Sequence, residues 1–385
     1  MIDERGLVEL LVSSAGSTAK VEKIVVNNER GKHKYRGPLN VLLYGSFGTI
    51  KTTILNAYND FLDELARKQG IKVKHEKISS WTFPGLFGTI RDGRFNKGAL
   101  LKVPNGVLIS DEIDSVDDIS LDLMLPLLQD GEASRSIGYH VLVPFKKRGK
   151  NFKCIVKDGT MYLRENFSVV AASNNTFKKN DKKMALLSRF AIIQKLGSIE
   201  EMYSVMKYGV NLNFFYVDMP SCVEWTKDVF GYLTDRVYKE TNTIFNNMVL
   251  GLKGKASGFI ETQLAGLMGR CTEHTVKVLS VVSVKNNMPY PNKEMMKTLG
   301  MNLYKTLLFN GFYSFRGIVA LSDTDYEIAR LYYNNVPVVD IANILNRSRV
   351  FIENRITYLK RIGFINKLFA KELEEKQELP KEWLQ

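Results

Sequence analysis

The sequence predicts an α/β fold, with a parallel sheet flanked by helices, then a helical region and a C-terminal helix-turn-helix segment. Three apolar runs predict the sheet. Val41-Leu42-Leu43-Tyr44, Val107-Leu108-Ile109 and Phe167-Ser168-Val169-Val170-Ala171-Ala172 have the length and makeup of strands buried on both faces. The first run leads into a helical pattern at Ile54, Leu55, Tyr58, Phe61, Leu62 and Leu65, the strand-then-helix order from which parallel sheets are wound.

Between that first strand and helix stands Gly45-Ser46-Phe47-Gly48-Thr49-Ile50-Lys51-Thr52, with Thr53 behind it. A glycine-bearing loop here lets backbone N–H groups turn inward around phosphate oxygens, and the helix N-terminus adds its positive dipole end. Lys51 would neutralise terminal phosphates, and the Thr52 hydroxyl can ligate Mg²⁺. Ile50 stands where the last glycine of the usual pattern falls, and an ordinary strand–turn–helix with a surface lysine is the alternative.

The second strand ends in Asp111-Glu112. Nucleotide hydrolysis needs one acid to hold Mg²⁺ and another to orient the attacking water, so Asp111 suits the first role and Glu112 the second. Two acids after a strand also suit a solvated turn; downstream of a phosphate loop, the pair reads as its partner. The third strand ends in Asn174, which can hydrogen-bond a γ-phosphate or the attacking water, or merely cap the strand. In Leu186-Leu187-Ser188-Arg189-Phe190, Arg189 is a surface arginine or a finger reaching into a neighbour's nucleotide.

Bulk properties set the bounds. The chain has 385 residues, enough for two or three domains, with 45% hydrophobic and 25% charged residues, a globular composition. No apolar stretch is long enough to span a bilayer and MIDERGLVEL is not a signal peptide, so a cytoplasmic protein without a membrane partner is expected. Three widely spaced cysteines, Cys154, Cys222 and Cys271, and four histidines argue against a disulfide framework or a structural zinc. A formal charge of +13 suits an acidic polymer as partner, or simply a lysine-rich surface.

Along the chain, Leu7 to Leu11 suggest a short helix and Val21 to Val26 a strand, followed by a basic loop with Arg30, Lys32, Lys34 and Arg36. A second strand is expected between Ile71 and Ser80. The segment 82–95 contains three glycines and a proline, so a loop or hairpin displaying Phe87 and Arg91 is expected. Leu121 to Leu128 form a helix stopped at Gly131. Tyr139–Phe145 and Phe152–Leu163 flank Lys146, Lys147, Arg148 and Lys150, giving a long hairpin whose basic tip is a solvated turn or a phosphate-backbone contact. Residues from about 198 to 320 read as mostly helical, with one apolar stripe from Phe259 to Leu279 and a flexible joint at Gly251 to Gly258. Finally, Asp323-Thr324-Asp325 caps a helix, Val338 to Leu345 form a second, Asn346-Arg347 turn, and Ser348 caps a third. This last helix carries Arg349, Asn354, Arg355, Tyr358 and Lys360 on its polar side, with Val350, Ile352, Ile356 and Leu359 expected inward, and Gly363-Phe364-Ile365 would start a strand. That is the winged helix-turn-helix order, with the third helix offered to a DNA groove; a helical cap that binds protein is the alternative.

Taken together, these motifs resemble the AAA+ P-loop core of minichromosome-maintenance (MCM) helicases over residues 36 to about 196, and more loosely to the C-terminus. Arg36 to Leu43 resembles that family's lead-in to its phosphate loop, which also lacks the last glycine. Gly98-Ala99-Leu100 and Gly106 to Asp114 resemble its Walker B region, Ala171-Ala172-Ser173-Asn174 its sensor 1, and Leu186 to Phe190 its arginine-finger motif. The resemblance implies an α/β AAA+ core at 36–200 after a lead-in at 1–35, with a helix-2 insert at 82–97 and a presensor-1 hairpin at 134–163, both lining a central DNA channel. A helical lid at 201–320 and a winged helix-turn-helix at 321–385 follow. It also implies ATP and Mg²⁺ as cofactors, a homo-oligomeric hexameric ring, and DNA held by Lys146, Lys147, Arg148, Lys150, Arg91, Arg349 and Arg355.

Three departures stand out. The family's N-terminal DNA-binding region is missing, which implies a stripped-down relative such as one from a mobile element. Ala191 replaces the acid that usually follows the finger motif. Thr262 falls at the expected sensor-2 position, with Arg270 an offset candidate. Nucleotide binding is therefore a firmer expectation than fast hydrolysis. The functions expected are an ATP-dependent DNA motor (a helicase or replication initiator), an ATP-gated DNA-binding loader, or a MoxR-like remodelling ATPase, for which Leu127-Leu128-Gln129-Asp130-Gly131-Glu132 also suits.

Overall fold

The structure is a computed structural model, describing residues 4–45, 50–91, 94–136, 154–157, 160–174, 181–193, 196, 207, 212–248, 255–288, 291–318 and 323–361. The chain divides into two units, Met1–Thr234 with Arg270–Gly311 and Asp235–Gly269 with Phe312–Gln385.

The first unit opens with α1 (Glu4–Thr18), whose Leu7, Val8, Leu11, Val12 and Ala15 are buried. β1 (Lys23–Asn28) and β2 (Gly31–Arg36) follow as an antiparallel hairpin. The basic stretch expected as a loop is thus a strand: Gly31 supplies the turn at φ 124°, and β1 supplies the ladder. Beyond β3 (Val41–Gly45), α2 (Lys51–Gln69), β4 (His75–Ile78), α3 (Phe83–Phe87), β5 (Gly88–Arg91) and β6 (Arg94–Lys97) come β7 (Gly106–Ser110) and α4 (Asp118–Asp130).

The segment 82–97 holds a helical turn as well as the expected hairpin. Thr82 caps it and Pro84 lies in its first turn, where a missing N–H costs nothing. α4 stops at Gly131 as expected, at φ 77°. At Gly106 a side chain is impossible: a Cβ would sit 1.9 Å from the Lys74 carbonyl, because β4 and β7 approach closely there.

β8 (Glu132–Ser136), β9 (Cys154–Lys157) and β10 (Thr160–Arg164) form an antiparallel sheet in the order β8-β10-β9. The expected basic tip lies between them, outside the described residues. β11 (Phe167–Asn174), α5 (Asp181–Leu187) and β12 (Ala191–Ile193) complete the central sheet, ordered β12-β3-β11-β7-β4 and parallel throughout. β3, β7 and β12 are fully buried, and α1 and α2 lie against the sheet. This is an α/β architecture with a five-stranded parallel sheet flanked by helices, compatible with a P-loop AAA+ core.

Among the described residues of the region expected to be helical stands a strand, β13 (Cys222–Trp225), pairing parallel with β1. Its polar-apolar alternation hides it among helices, and its partner lies about 200 residues upstream. The helices α6 (Lys227–Met248), α7 (Lys255–Lys285), α8 (Lys293–Met295) and α9 (Met301–Ile318) follow. In the second unit, α10 (Asp323–Tyr333), α11 (Val338–Ile344) and α12 (Arg349–Arg361) pack around Ile328, Ile341, Ile352, Ile356 and Leu359, whereas Val350, expected inward, is 64% exposed because it stands about 160° round the helix from Ile352. The strand expected at 363 lies outside the described residues.

Candidate active site

β11 is inserted between β3 and β7, with Asn174 level with Gly45 and Ala171 level with Ser110. Three strand ends therefore open on one edge of the sheet, where ligands of parallel α/β folds bind. Gly45 ends β3, Asn174 ends β11, and Asp111 and Glu112 follow β7. Ser46, Phe47, Gly48 and Thr49 lie outside the described residues.

Helix α2 begins at Lys51 behind Ile50, whose side chain makes no capping hydrogen bond. Lys51 is buried at 3% exposure, and its Nζ donates to the Gly45 carbonyl at 3.0 Å. Burial lowers its pKa, and the carboxylates of Asp111 and Asp114 oppose that shift. One residue on, Thr52 Oγ1 donates to Asp111 Oδ2 at 2.7 Å. Thr53 is exposed. The start of α2 and the end of β7 thus meet through a hydroxyl, a carboxylate and an ammonium.

Glu112 sits beside this group in a left-handed conformation (φ 54°, ψ 50°), rare for a residue other than glycine. Its N–H donates to Asp111 Oδ1 at 3.2 Å, and its carbonyl accepts from the Ser115 hydroxyl at 2.8 Å. Its exposed side chain is held by a backbone that other residues constrain. Asn174 is half-buried. The sequence offers Asp114 only as part of the Gly106–Asp114 motif; its carboxylate acts on both Lys51 and Tyr44, whose hydroxyl pKa is raised to about 12 by burial and by Asp114. Its place three residues after Asp111 was the available signal.

The oxygen donors of Thr52 and Asp111 are of the hard kind Mg²⁺ takes, and the open N-terminus of α2 beside a buried ammonium suits phosphate. The residues present fit a Mg²⁺-nucleotide. Among the described residues no group of three or more His, Cys, Asp or Glu side chains could hold a metal ion.

Arg189 engages another set of partners. Its guanidinium donates to the Ser188 hydroxyl at 2.6 Å and to the Gln129 amide oxygen, and its buried Nε has no hydrogen-bond partner among the described residues. Burial lowers its pKa, as does Arg270, while Glu273 and Asp130 oppose the shift. Around Glu273 a buried cluster forms that the sequence did not announce. Its carboxylate bridges Arg270 Nη1 (3.1 Å) and Lys277 Nζ (2.8 Å), and Lys277 donates on to the Pro38 carbonyl at 2.9 Å, just ahead of β3. Thr262, the other sensor-2 candidate, is exposed in the second unit.

Of the residues expected on DNA, Lys146, Lys147, Arg148 and Lys150 lie outside the described residues. Arg91 pairs with Arg94 across the β5–β6 hairpin, but its side chain is not among those described. Arg349 is exposed and pairs with Glu353 at 2.7 Å. Arg355 is turned inward: its guanidinium forms two hydrogen bonds of 2.5 Å with Asp325, which is fully buried, and lies over the Tyr358 ring. No described helix is long and apolar enough to cross a membrane.

No protein-family model matches the chain. Mitochondrial disaggregases of Bos taurus, Homo sapiens and Rattus norvegicus are each 23% identical over 205 residues, covering 51% of this chain. The aligned stretch spans 28%, 27% and 28% of those proteins respectively, under a third of their length. That similarity supports a AAA+ ATPase, a class that uses nucleotide and Mg²⁺, and nothing finer.

Proposed function

We propose that this chain is an MCM-like AAA+ ATPase acting as an ATP-dependent DNA motor, a helicase or replication initiator working as a hexameric ring. The observation that carries the ATPase reading is the Thr52–Asp111 hydrogen bond of 2.7 Å beside buried Lys51. Bound Mg²⁺-ATP would supply the phosphoanhydride whose cleavage drives the motor. Lys51 and the N–H groups opening α2 hold phosphate charge, and Thr52 and Asp111 turn their oxygens to the metal. Glu112 orients water, and Asn174 reads the terminal phosphate. Arg189 is engaged with Gln129 and Ser188 rather than with Lys51 or Asp111, which suits a finger offered to a neighbouring subunit. The order of motifs, the net charge of +13 and the three-helix arrangement of α10–α12 support DNA as partner.

A second reading, a protein-remodelling ATPase, is favoured by the similarity to the disaggregases. ATPase rates with and without single-stranded and duplex DNA, alongside strand displacement, separate the two. The motor reading expects DNA-stimulated hydrolysis and unwinding. Turnover indifferent to both DNAs favours the remodeller.

A further inference from the structure

Glu112 holds a left-handed backbone, a conformation that persists in a residue other than glycine only where its surroundings fix it. Part of that fixing is local. The Ser115 N–H and hydroxyl both donate to the Glu112 carbonyl, at 3.0 and 2.8 Å, and the Val116 N–H closes on the Ile113 carbonyl at 3.2 Å. The Asp117 N–H, which would continue the series onto the Asp114 carbonyl, goes to the Trp81 carbonyl at 3.4 Å instead. The Asp114 carbonyl is met from elsewhere: Lys183 Nζ donates to it at 3.1 Å, across 69 positions of the chain.

These two long-range ties come from the strands on either side. In the sheet, β7 stands between β4 and β11. Trp81 follows β4, and Lys183 is carried on α5, which follows β11. α5 is itself well anchored: Leu186 and Leu187 are fully buried, and Arg189, just beyond the helix, is bonded to Gln129 of α4. A lysine donating to a carbonyl is commonplace on protein surfaces. This carbonyl, however, lies two residues after the acid assigned to the attacking water, in a turn entered through a strained backbone. Loosening the turn would swing that acid, and a misplacement of 1 Å at a reacting group lowers rate by about 10²-fold.

We infer that Lys183 is a positioning residue for Glu112. Its ammonium holds the turn at 112–115, so that the Glu112 carboxylate stays aimed at the water that attacks the terminal phosphate. Lys183 acts through Glu112 and not on the nucleotide. The inference rests on the ATPase reading above and is independent of the DNA reading.

The test compares the whole parent chain with two variants. Lys183→Met keeps the length of the side chain without a donor, and Lys183→Arg keeps a cationic donor. Steady-state phosphate release should show kcat about 10- to 100-fold lower in Lys183→Met. Its ATP affinity by calorimetry and its thermal midpoint should match the parent, and Lys183→Arg should recover most of the rate. Single-turnover hydrolysis then places Lys183→Met in a Glu112→Gln background. With the carboxylate already gone, losing the Lys183 ammonium should slow the reaction no further. Parental kcat in Lys183→Met, a fall in ATP affinity that accounts for the lost rate, an arginine variant no faster than the methionine one, or the same fold-loss with and without Glu112 would overturn the inference. Each of these leaves the ATPase standing, because the parent still hydrolyses ATP. A parent without hydrolysis overturns the ATPase reading and this inference with it.

Discussion

The Thr52 hydroxyl donates to Asp111 Oδ2 across 2.7 Å, joining two residues 59 positions apart in the chain. In the proposed ATPase the pair would act as one unit toward Mg²⁺, so their losses should not add. Thr52→Ala and Asp111→Asn are each expected to lower ATPase kcat by about 10²- to 10³-fold, the usual cost of removing one preorganised electrostatic group. The double variant should fall little further. Steady-state phosphate release across the four proteins checks this, and multiplying losses would mean that the residues act independently.

Lys51→Ala removes the buried ammonium at the start of α2 and should abolish hydrolysis within detection. Calorimetric titration with ATP is expected to register weakened binding. Hydrolysis at the parental rate would remove the phosphate-loop assignment.

Arg189 should act across subunits. Arg189→Ala is expected to be inactive alone. Mixed with Lys51→Ala, it should regain part of the activity, because some interfaces then pair an intact phosphate loop with an intact arginine. Activity that never rises on mixing, at any ratio, would argue against a finger working in trans.

Arg355→Ala leaves Asp325 buried without its guanidinium. The expected cost is about 3–5 kcal/mol, confined to α10–α12. Hydrogen exchange resolved by peptide should report loss of protection there, with the central sheet unchanged. A variant that keeps this protection but loses DNA would return Arg355 to the surface role expected from the sequence.

The Glu273 cluster makes the fold acid-sensitive. Burial pushes the His274 pKa down to about 4, with Glu273 opposing, so the folded ring stays neutral where the unfolded one, near 6.5, takes up a proton. The His274 contribution should be constant above pH 6.5, cost up to about 3 kcal/mol of stability as pH drops from 6.5 to 4, and level off below. Glu273 adds to this from lower pH. Burial would raise its pKa, but Lys277, His274 and Arg270 outweigh burial, so its stabilisation is lost as pH falls below the ordinary carboxylate range. Denaturant midpoints from pH 4 to 7 test the window, and His274→Gln should flatten the upper part of the curve.

Legibility followed the range of the interaction. The strands at 41, 107 and 167 are buried on both faces and announce themselves as unbroken apolar runs. The Gly131 stop and the Ser348 cap depend on neighbours within a turn. The three-residue β12 is too short to have a pattern, and β13 depends on β1 far upstream. The bond between Thr52 and Asp111 was expected as a convergence of two strand ends. The partners of Arg355 and Arg189 could not be read, because Asp325 and Gln129 are chosen by packing between separate helices. Pro84 misled for the opposite reason: a residue that breaks a helix interior is welcome in its first turn.

The insertion of β11 between β3 and β7 also bears on how the chain is made. Lys51 and Asp111 leave the ribosome well before Phe167–Asn174, yet the sheet positions that bring them together are separated by that later strand. A nascent chain ending near Ser136 would hold both motifs with a vacant lane between them, and two apolar edges exposed to whatever is near. Competence for nucleotide should therefore arise abruptly once residue 174 has emerged, and chains stalled before it are the ones that chaperones must shield.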